Sequence, residues 1–280
     1  MNNSIDLAFL DSGTGGIPYM LDLKNKKPSL KTLYLGDTKN FPYGEKSNEE
    51  IISCAIDVVG KMISKWNPKT IVIACNTISV TALSQLRKTF PDRPFVGTVP
   101  AIRLAAKVTK NKNIGLLATN GTVNHPYTKK LMEDFASDCQ IFSRGDPALV
   151  SFIEHSYFKA SQEERFAAIK PALDFFKSKN CDTIILGCTH FTHIAKEFSL
   201  LAGEKINVID SRDGVSNQAI RMEELSAAAI KAAHLSKVQG SPLQEEKDMS
   251  FFVTALRQPS DQEEYKILCQ NYSIPFGGIF

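Results

Sequence analysis

The chain carries one short phrase twice. Thr70-Ile71-Val72-Ile73-Ala74-Cys75-Asn76-Thr77 and Thr183-Ile184-Ile185-Leu186-Gly187-Cys188-Thr189-His190 each run Thr, three aliphatics, a small residue, Cys and then hydrogen-bonding groups. A continuous aliphatic run of this length, without polar alternation, suits a strand buried on both faces in a parallel sheet covered by helices. Ligands of such sheets gather beyond the carboxyl ends of the strands, so both cysteines fall where chemistry is usually done.

The rest of the chain follows the same rhythm. Asp6 to Leu10 predicts a strand that runs into Asp11-Ser12-Gly13-Thr14-Gly15-Gly16, either a tight connection to a helix from about Ile17 or a turn whose N–H groups face an anion. A strand Thr32 to Gly36 opens into the polar loop Asp37 to Gly44. Ser47 and Glu50 form a capping box for a helix to about Lys65. A helix from about Ile78 to Thr89 and a strand Phe95 to Val99 complete the first round. Asn113 to Ala118 begins a second, delivering Thr119-Asn120-Gly121-Thr122 as Asp6 to Leu10 delivers Asp11-Ser12-Gly13-Thr14, and the echo predicts an internally duplicated α/β unit.

Helices are expected at about Pro126 to Phe135, Pro147 to Phe158 and Gln162 to Ser178, with a short strand near Gln140 to Phe142. Thr192 is a candidate N-cap for the helix after the second cysteine, and a strand Ile206 to Ile209 precedes a helix from Asp213 to about Ala233. Gln239 to Lys247 reads as a polar surface loop, Phe251 to Thr254 as a last strand and Asp261 to Cys269 as a last helix. The apolar end from Ile274 to Phe280 is expected to dock on the body. Alternating strands and helices define an α/β protein with mainly parallel sheets.

With 280 residues and 43% hydrophobic content, two domains or one large one can each bury a core. A net charge of +3, with Lys and Arg scattered, gives no nucleic-acid footprint. The N-terminus lacks a basic n-region and no window is long enough to span a membrane, which points to the cytoplasm and to no membrane partner. The six cysteines show neither CxxC pairs nor Cys/His metal spacing, so no metal is expected and most are read as free thiols. Cys54, Cys139, Cys181 and Cys269 suit ordinary packing.

Two thiols facing each other across a carbon acid can remove a proton from one side and return one to the other, provided that one is base and the other acid. An ordinary Cys, near pKa ~8.5, needs only modest tuning for either state. Asp11 near Cys75 is placed to assist proton removal or orient an ammonium, and His190 near Cys188 to stabilise its thiolate or relay its proton. Ser12, Asn76, Thr77, Thr119, Thr122 and Thr189 offer amide and hydroxyl groups for carboxylates.

The motifs DSGTGG at Asp11 to Gly16, Pro42-Tyr43-Gly44, Ala74-Cys75-Asn76-Thr77, Ala118 to Thr122 and Leu186-Gly187-Cys188-Thr189-His190 resemble, in order, those of the cofactor-independent glutamate racemases of the aspartate/glutamate racemase superfamily. The resemblance spans about Leu7 to Asp210, and extends weakly to Val253-Thr254. It implies two pseudosymmetric three-layer domains with the active site between them, the first formed by residues 1–97 and 211–280 and the second by 98–210. It further implies interconversion of L- and D-glutamate for peptidoglycan, no cofactor, a frequent homodimer, and a two-base mechanism in which Cys75 acts on the D- and Cys188 on the L-enantiomer. Asp11 and His190 assist, Glu154 is a third candidate unless it is an exposed helix carboxylate, and Pro42, Tyr43 and Gly44 join the substrate-binding set.

The chain departs from the family pattern at Val99, Asp146, Phe191-Thr192 and Arg212-Asp213. These leave the cysteine pair intact but put secondary contacts, loop shape and dimer mode in question. A racemase of aspartate or another amino acid, or a racemase-like binding or regulatory protein without turnover, are the alternatives.

Overall fold

The computed structural model describes residues 5–232 and 249–280. The N-terminal four residues and the polar stretch Gln239 to Lys247 lie outside the described residues. In chain order the first half runs β1 (Leu7–Asp11), α1 (Ile17–Lys26), β2 (Thr32–Gly36), α2 (Asn48–Trp66), β3 (Thr70–Ile73), α3 (Asn76–Thr89) and β4 (Phe95–Gly97). The second half runs α4 (Ile102–Val108), β5 (Asn113–Ala118), α5 (Asn120–Asn124), α6 (Pro126–Ala136), β6 (Gln140–Gly145), α7 (Pro147–His155), α8 (Gln162–Ser178), β7 (Thr183–Leu186), α9 (Ala195–Ala202) and β8 (Asn207–Ile209). The chain then returns through α10 (Arg212–Ala232), β9 (Met249–Val253), α11 (Asp261–Tyr272) and β10 (Phe276–Ile279).

Two sheets result, with order β10-β9-β2-β1-β3-β4 and β6-β5-β7-β8, and all their described pairings are parallel. The order β2-β1-β3-β4 in the first is the order β6-β5-β7-β8 in the second. Each is doubly wound, with its switch point between the strand that carries the Asp11 or Thr119 turn and the strand that carries a cysteine.

Strand periodicity sorts the cores into layers. Ala8, Leu10, Ile71 and Ile73 pack on α2 and α3, whereas Leu7, Phe9 and Val72 pack on α1, α10 and α11. In the second sheet Leu117, Ile184 and Leu186 meet α7, α8 and α9, while Ile114, Leu116 and Ile185 meet α4 and α6. Helices therefore cover both faces of both sheets, which is why the strands need no polar alternation.

Several local expectations change. Thr192 is not an N-cap: its hydroxyl donates to Thr189 O at 2.7 Å inside a 3₁₀ turn, Thr189–Thr192, and α9 begins after Ile194. Helix α7 stops at His155 instead of Phe158, because Tyr157 turns back to reach His193 O and Glu197. Helix α4 has no counterpart in the sequence reading; its two turns bury only Ile102 and Ala105, too few to set a period. The apolar C-terminus docks as an edge strand, β10, and seats Phe280 on Trp66 with ring centroids 4.6 Å apart.

Candidate active site

The carboxyl ends of the two sheets meet around a cavity of about 270 Å³. Cys75 and Cys188 both line it, as do Ser12, Pro42, Tyr43, Gly44, Asn76, Thr77, Thr119, Thr189 and His190. Asp11, Thr122 and Glu154 are buried and do not line it. Asn120, Ser151, His155 and Arg257 line the cavity without having been singled out. Ser151 lies three residues before Glu154 on one helix face, a spacing that points to it; Arg257 follows β9 and has no local signal.

The two sulfurs have unlike surroundings. Cys75 is the residue before α3 and its thiol is 3.9 Å from Ser12 Oγ. Burial, then the charge of Asp11, pushes this thiol well above its usual value, so it rests protonated. Cys188 instead faces an imidazole, with Sγ 3.7 Å from His190 Nδ1. The far nitrogen, Nε2, donates to Glu154 Oε2 at 2.8 Å, and that pair is almost wholly buried.

The same Glu154 oxygen accepts Thr14 N–H at 2.9 Å and the Thr14 hydroxyl at 2.6 Å. Burial by itself would raise the Glu154 carboxyl, but His190 and these Thr14 donors hold it at about 2. Burial opposes a charge on His190 too, yet Cys188 and Glu154 together raise it well above the ordinary histidine value. Glu154 is thus a buried partner of His190, and the exposed-carboxylate alternative is excluded.

The glycine-rich turn does face anions, and they are the protein's own. Ser12 N and Gly16 N each donate to Asp11 at 2.7 Å, while Thr14 N serves Glu154. Thr189 Oγ1 reaches Asp11 Oδ2 from the second sheet at 3.3 Å. Burial raises the Asp11 carboxyl, opposed by His190 and by those N–H groups. Two glycines are dictated by this closeness: a Cβ on Gly13 would sit 2.7 Å from the Glu154 carboxylate, and one on Gly15 would sit 2.6 Å from His190 N and Nδ1.

Polar groups for a ligand are left over. Both side-chain atoms of Asn76 are buried and unpartnered, and the N-terminal end of α3 opens beside them. Thr77 is fixed across the sheets by Thr119 at 3.0 Å and Thr122 at 3.3 Å. Two of the departures have local duties: Asp146 caps α7, the helix that carries Glu154, and Arg212 clasps Asp210 in the turn into α10. Nothing in the structure explains Val99. His155, Asp261 and Glu264 bring donor atoms within 4.8 Å of one another, but Asp261 already accepts from Arg257 N and Gln258 N, and Glu264 pairs with Lys159.

Two doubly wound sheets that repeat one strand order share this cavity, and each brings a thiol to it. The family model described as Asp/Glu/Hydantoin racemase matches residues 23–218, and the chain belongs to that family. A glutamate racemase of Treponema pallidum is 37% identical over 215 residues, covering 77% of this chain and 80% of that relative. One of Photorhabdus laumondii is 42% identical over 203 residues, 72% of this chain and 70% of the relative. Among solved structures, Escherichia coli glutamate racemase with L-glutamate and the activator UDP-MurNAc-ala superposes with a TM-score of 0.80 at 29% identity, covering 98% of both chains. The RacE1 isoform of glutamate racemase from Bacillus anthracis gives 0.76 at 25% identity, over 100% of this chain and 98% of that one.

Gly15→Ala is expected to cut racemase turnover by ~10²-fold, since its methyl displaces His190 by about an ångström from Cys188. Circular dichroism should be unchanged, and near-normal steady-state turnover would refute the close-approach account.

Proposed function

We propose that the chain is a glutamate racemase that inverts Cα by a two-base reaction of Cys75 and Cys188, without a cofactor. The observation that supports it is one cavity lined by two thiols, one beside a buried carboxylate and the other beside a buried imidazole. Glutamate as substrate is supported by the names of the relatives and by the L-glutamate bound to the Escherichia coli enzyme.

In the L-to-D direction the Cys188 thiolate takes the α-proton and becomes a thiol, while the Cys75 thiol delivers its proton to the opposite face and becomes a thiolate. The reverse reaction exchanges the roles. His190 sits where it can stabilise the Cys188 thiolate or carry its proton away, and Glu154 keeps the ring oriented with Nδ1 toward sulfur. Asp11 and Glu154 do not line the cavity, so both act as positioning groups, Asp11 by holding the Ser12 turn against Cys75. Asn76, Thr77, Thr119, Ser12 and Thr189, with the α3 N-terminus and the wall from Pro42 to Gly44, hold the carboxylates and ammonium.

We assign residues 1–97 and 211–280 to one lobe and 98–210 to the other, a homodimer as the assembly, and the cytoplasm as the compartment in which D-glutamate is made for peptidoglycan. Among the described residues, no helix is long and apolar enough to cross a membrane.

The test is to incubate the protein with L-glutamate and, separately, D-glutamate in D2O, followed by chiral analysis. Inversion with one α-deuterium per product supports the reading; glutamate binding without deuterium entry sinks it in favour of a binding protein. Arg257, exposed at the rim with Nη1 3.1 Å from Phe41 O, offers a cation to an anionic substrate. Arg257→Gln is expected to raise KM for glutamate ~3–10-fold with kcat held within about twofold, the mark of lost uniform binding. The difference should shrink in 0.5 M NaCl, added as a test condition; a salt-independent fall in kcat contradicts the electrostatic account.

A further inference from the structure

His193 is a histidine that the two-base scheme leaves unused. It is buried, it follows the 3₁₀ turn of Cys188 and His190, and its ring lies edge-on to Phe158 at 5.4 Å. Its Nε2 is 3.1 Å from Thr14 O, an atom that can only accept, so Nε2 carries the proton. Its Nδ1 is 2.6 Å from Tyr272 Oη and therefore accepts from that hydroxyl. Burial, then the neighbouring charge of His190, lowers this ring to about 3, so it stays neutral and the tautomer is set by its two partners.

Those partners lead to the reacting sulfur. Thr14, gripped at its carbonyl by His193, sends both its N–H and its hydroxyl to Glu154 Oε2. The same oxygen orients His190 Nε2, and His190 Nδ1 meets Cys188 Sγ. The hydrogen-bonded line from Tyr272 in α11 to Cys188 after β7 thus passes from the first sheet's side to the second, back to Thr14, and across again to Glu154. The corresponding place five residues after the first cysteine is Val80, which has no polar group to do this. The support belongs to one thiol of the pair.

We propose that His193 and Tyr272 are positioning residues for the Cys188 arm: through Thr14 they fix Glu154, and through Glu154 they hold His190 against Cys188. The inference rests on the racemase reading in taking Cys188 as an acid/base group, but it is tested on thiol reactivity, which needs no turnover.

The experiment uses the full chain as wild type, Tyr272→Phe, His193→Leu and His193→Gln, each treated with iodoacetamide and read cysteine by cysteine by peptide mass. In Tyr272→Phe and His193→Leu the Cys188 alkylation rate is expected to fall at least ~5-fold while that of Cys75 stays within about twofold, since only the thiolate reacts and only Cys188 loses its oriented imidazole. His193→Gln, whose amide has a donor for Thr14 O and an acceptor for Tyr272, should recover most of the rate. In glutamate turnover the same two variants should lose kcat by ~10-fold with KM little changed. Wild-type Cys188 reactivity in Tyr272→Phe, or equal slowing of both thiols, overturns the proposal. If His193→Leu fails to fold, Tyr272→Phe, which removes one hydroxyl, and His193→Gln decide the matter. A wild-type protein that does not racemise glutamate but shows the selective loss at Cys188 defeats the functional reading and leaves this one standing.

Discussion

Cys188→Ala is expected to lower kcat/KM for glutamate by at least ~10³-fold, and Cys75→Ala by a similar factor, because each removes the sole proton-transfer group from one face of Cα. The two losses should look alike in racemisation and unlike in isotope exchange. With Cys188 removed, Cys75 still faces the cavity and can exchange the α-proton of D-glutamate with D2O, with retention; L-glutamate should stay unlabelled. With Cys75 removed the pattern reverses, and exchange should be faster, because His190 remains beside the surviving sulfur whereas Cys75 is held protonated by burial and Asp11. The measurement is proton NMR of each enantiomer over hours. Full racemisation by either variant, or label entering both enantiomers equally, removes the two-base mechanism.

Glu154→Gln carries the second large effect, on stability as well as rate. It breaks a pair whose members are both almost wholly buried, a change that costs ~3–5 kcal/mol when one charge is left alone. The pH dependence follows from the two shifts. Glu154, lowered from 4.5 to about 2, contributes stability that is present above 4.5 and lost as pH falls through about 2. His190, raised from 6.5, contributes stability that is complete below 6.5 and lost as pH rises through its higher folded value. The difference in unfolding free energy between wild type and Glu154→Gln should therefore be greatest between pH 4.5 and 6.5 and shrink on either side. Urea unfolding across that range measures it; a pH-independent difference means that Glu154 is not ionised against His190. In turnover at neutral pH the variant should lose ~10²-fold in kcat, since the imidazole is no longer aimed at Cys188.

Much of the fold was legible because the signals are local. The runs at Thr70 and Thr183 are strands β3 and β7, and Ser47 with Glu50 closes the capping box of α2. The parallel echo between the halves is repeated in the strand orders. What local signals missed were elements held by few residues, such as α4, and a turn mistaken for a cap at Thr192. In the site, Ser12, Cys75, Asn76, Thr77, Thr119, Cys188, Thr189 and His190 were found by their place after strands, Pro42 to Gly44 only through the family resemblance, and Arg257 was missed because a distant loop brings it in.

The sequence by itself determined which residues end the strands, and so that Cys75, Cys188, Asp11 and His190 lie at carboxyl edges of parallel sheets. Strand burial and turn chemistry are properties of neighbouring residues, and a sequence records them directly. Only the tertiary structure decided which of these groups touch the cavity and which stand behind it. Asp11 and Glu154 became supports because Thr14 meets Glu154 across 140 positions and Thr189 meets Asp11 across 178. Those contacts come from the docking of one sheet's edge on the other, and no periodicity within either half encodes the fit between them.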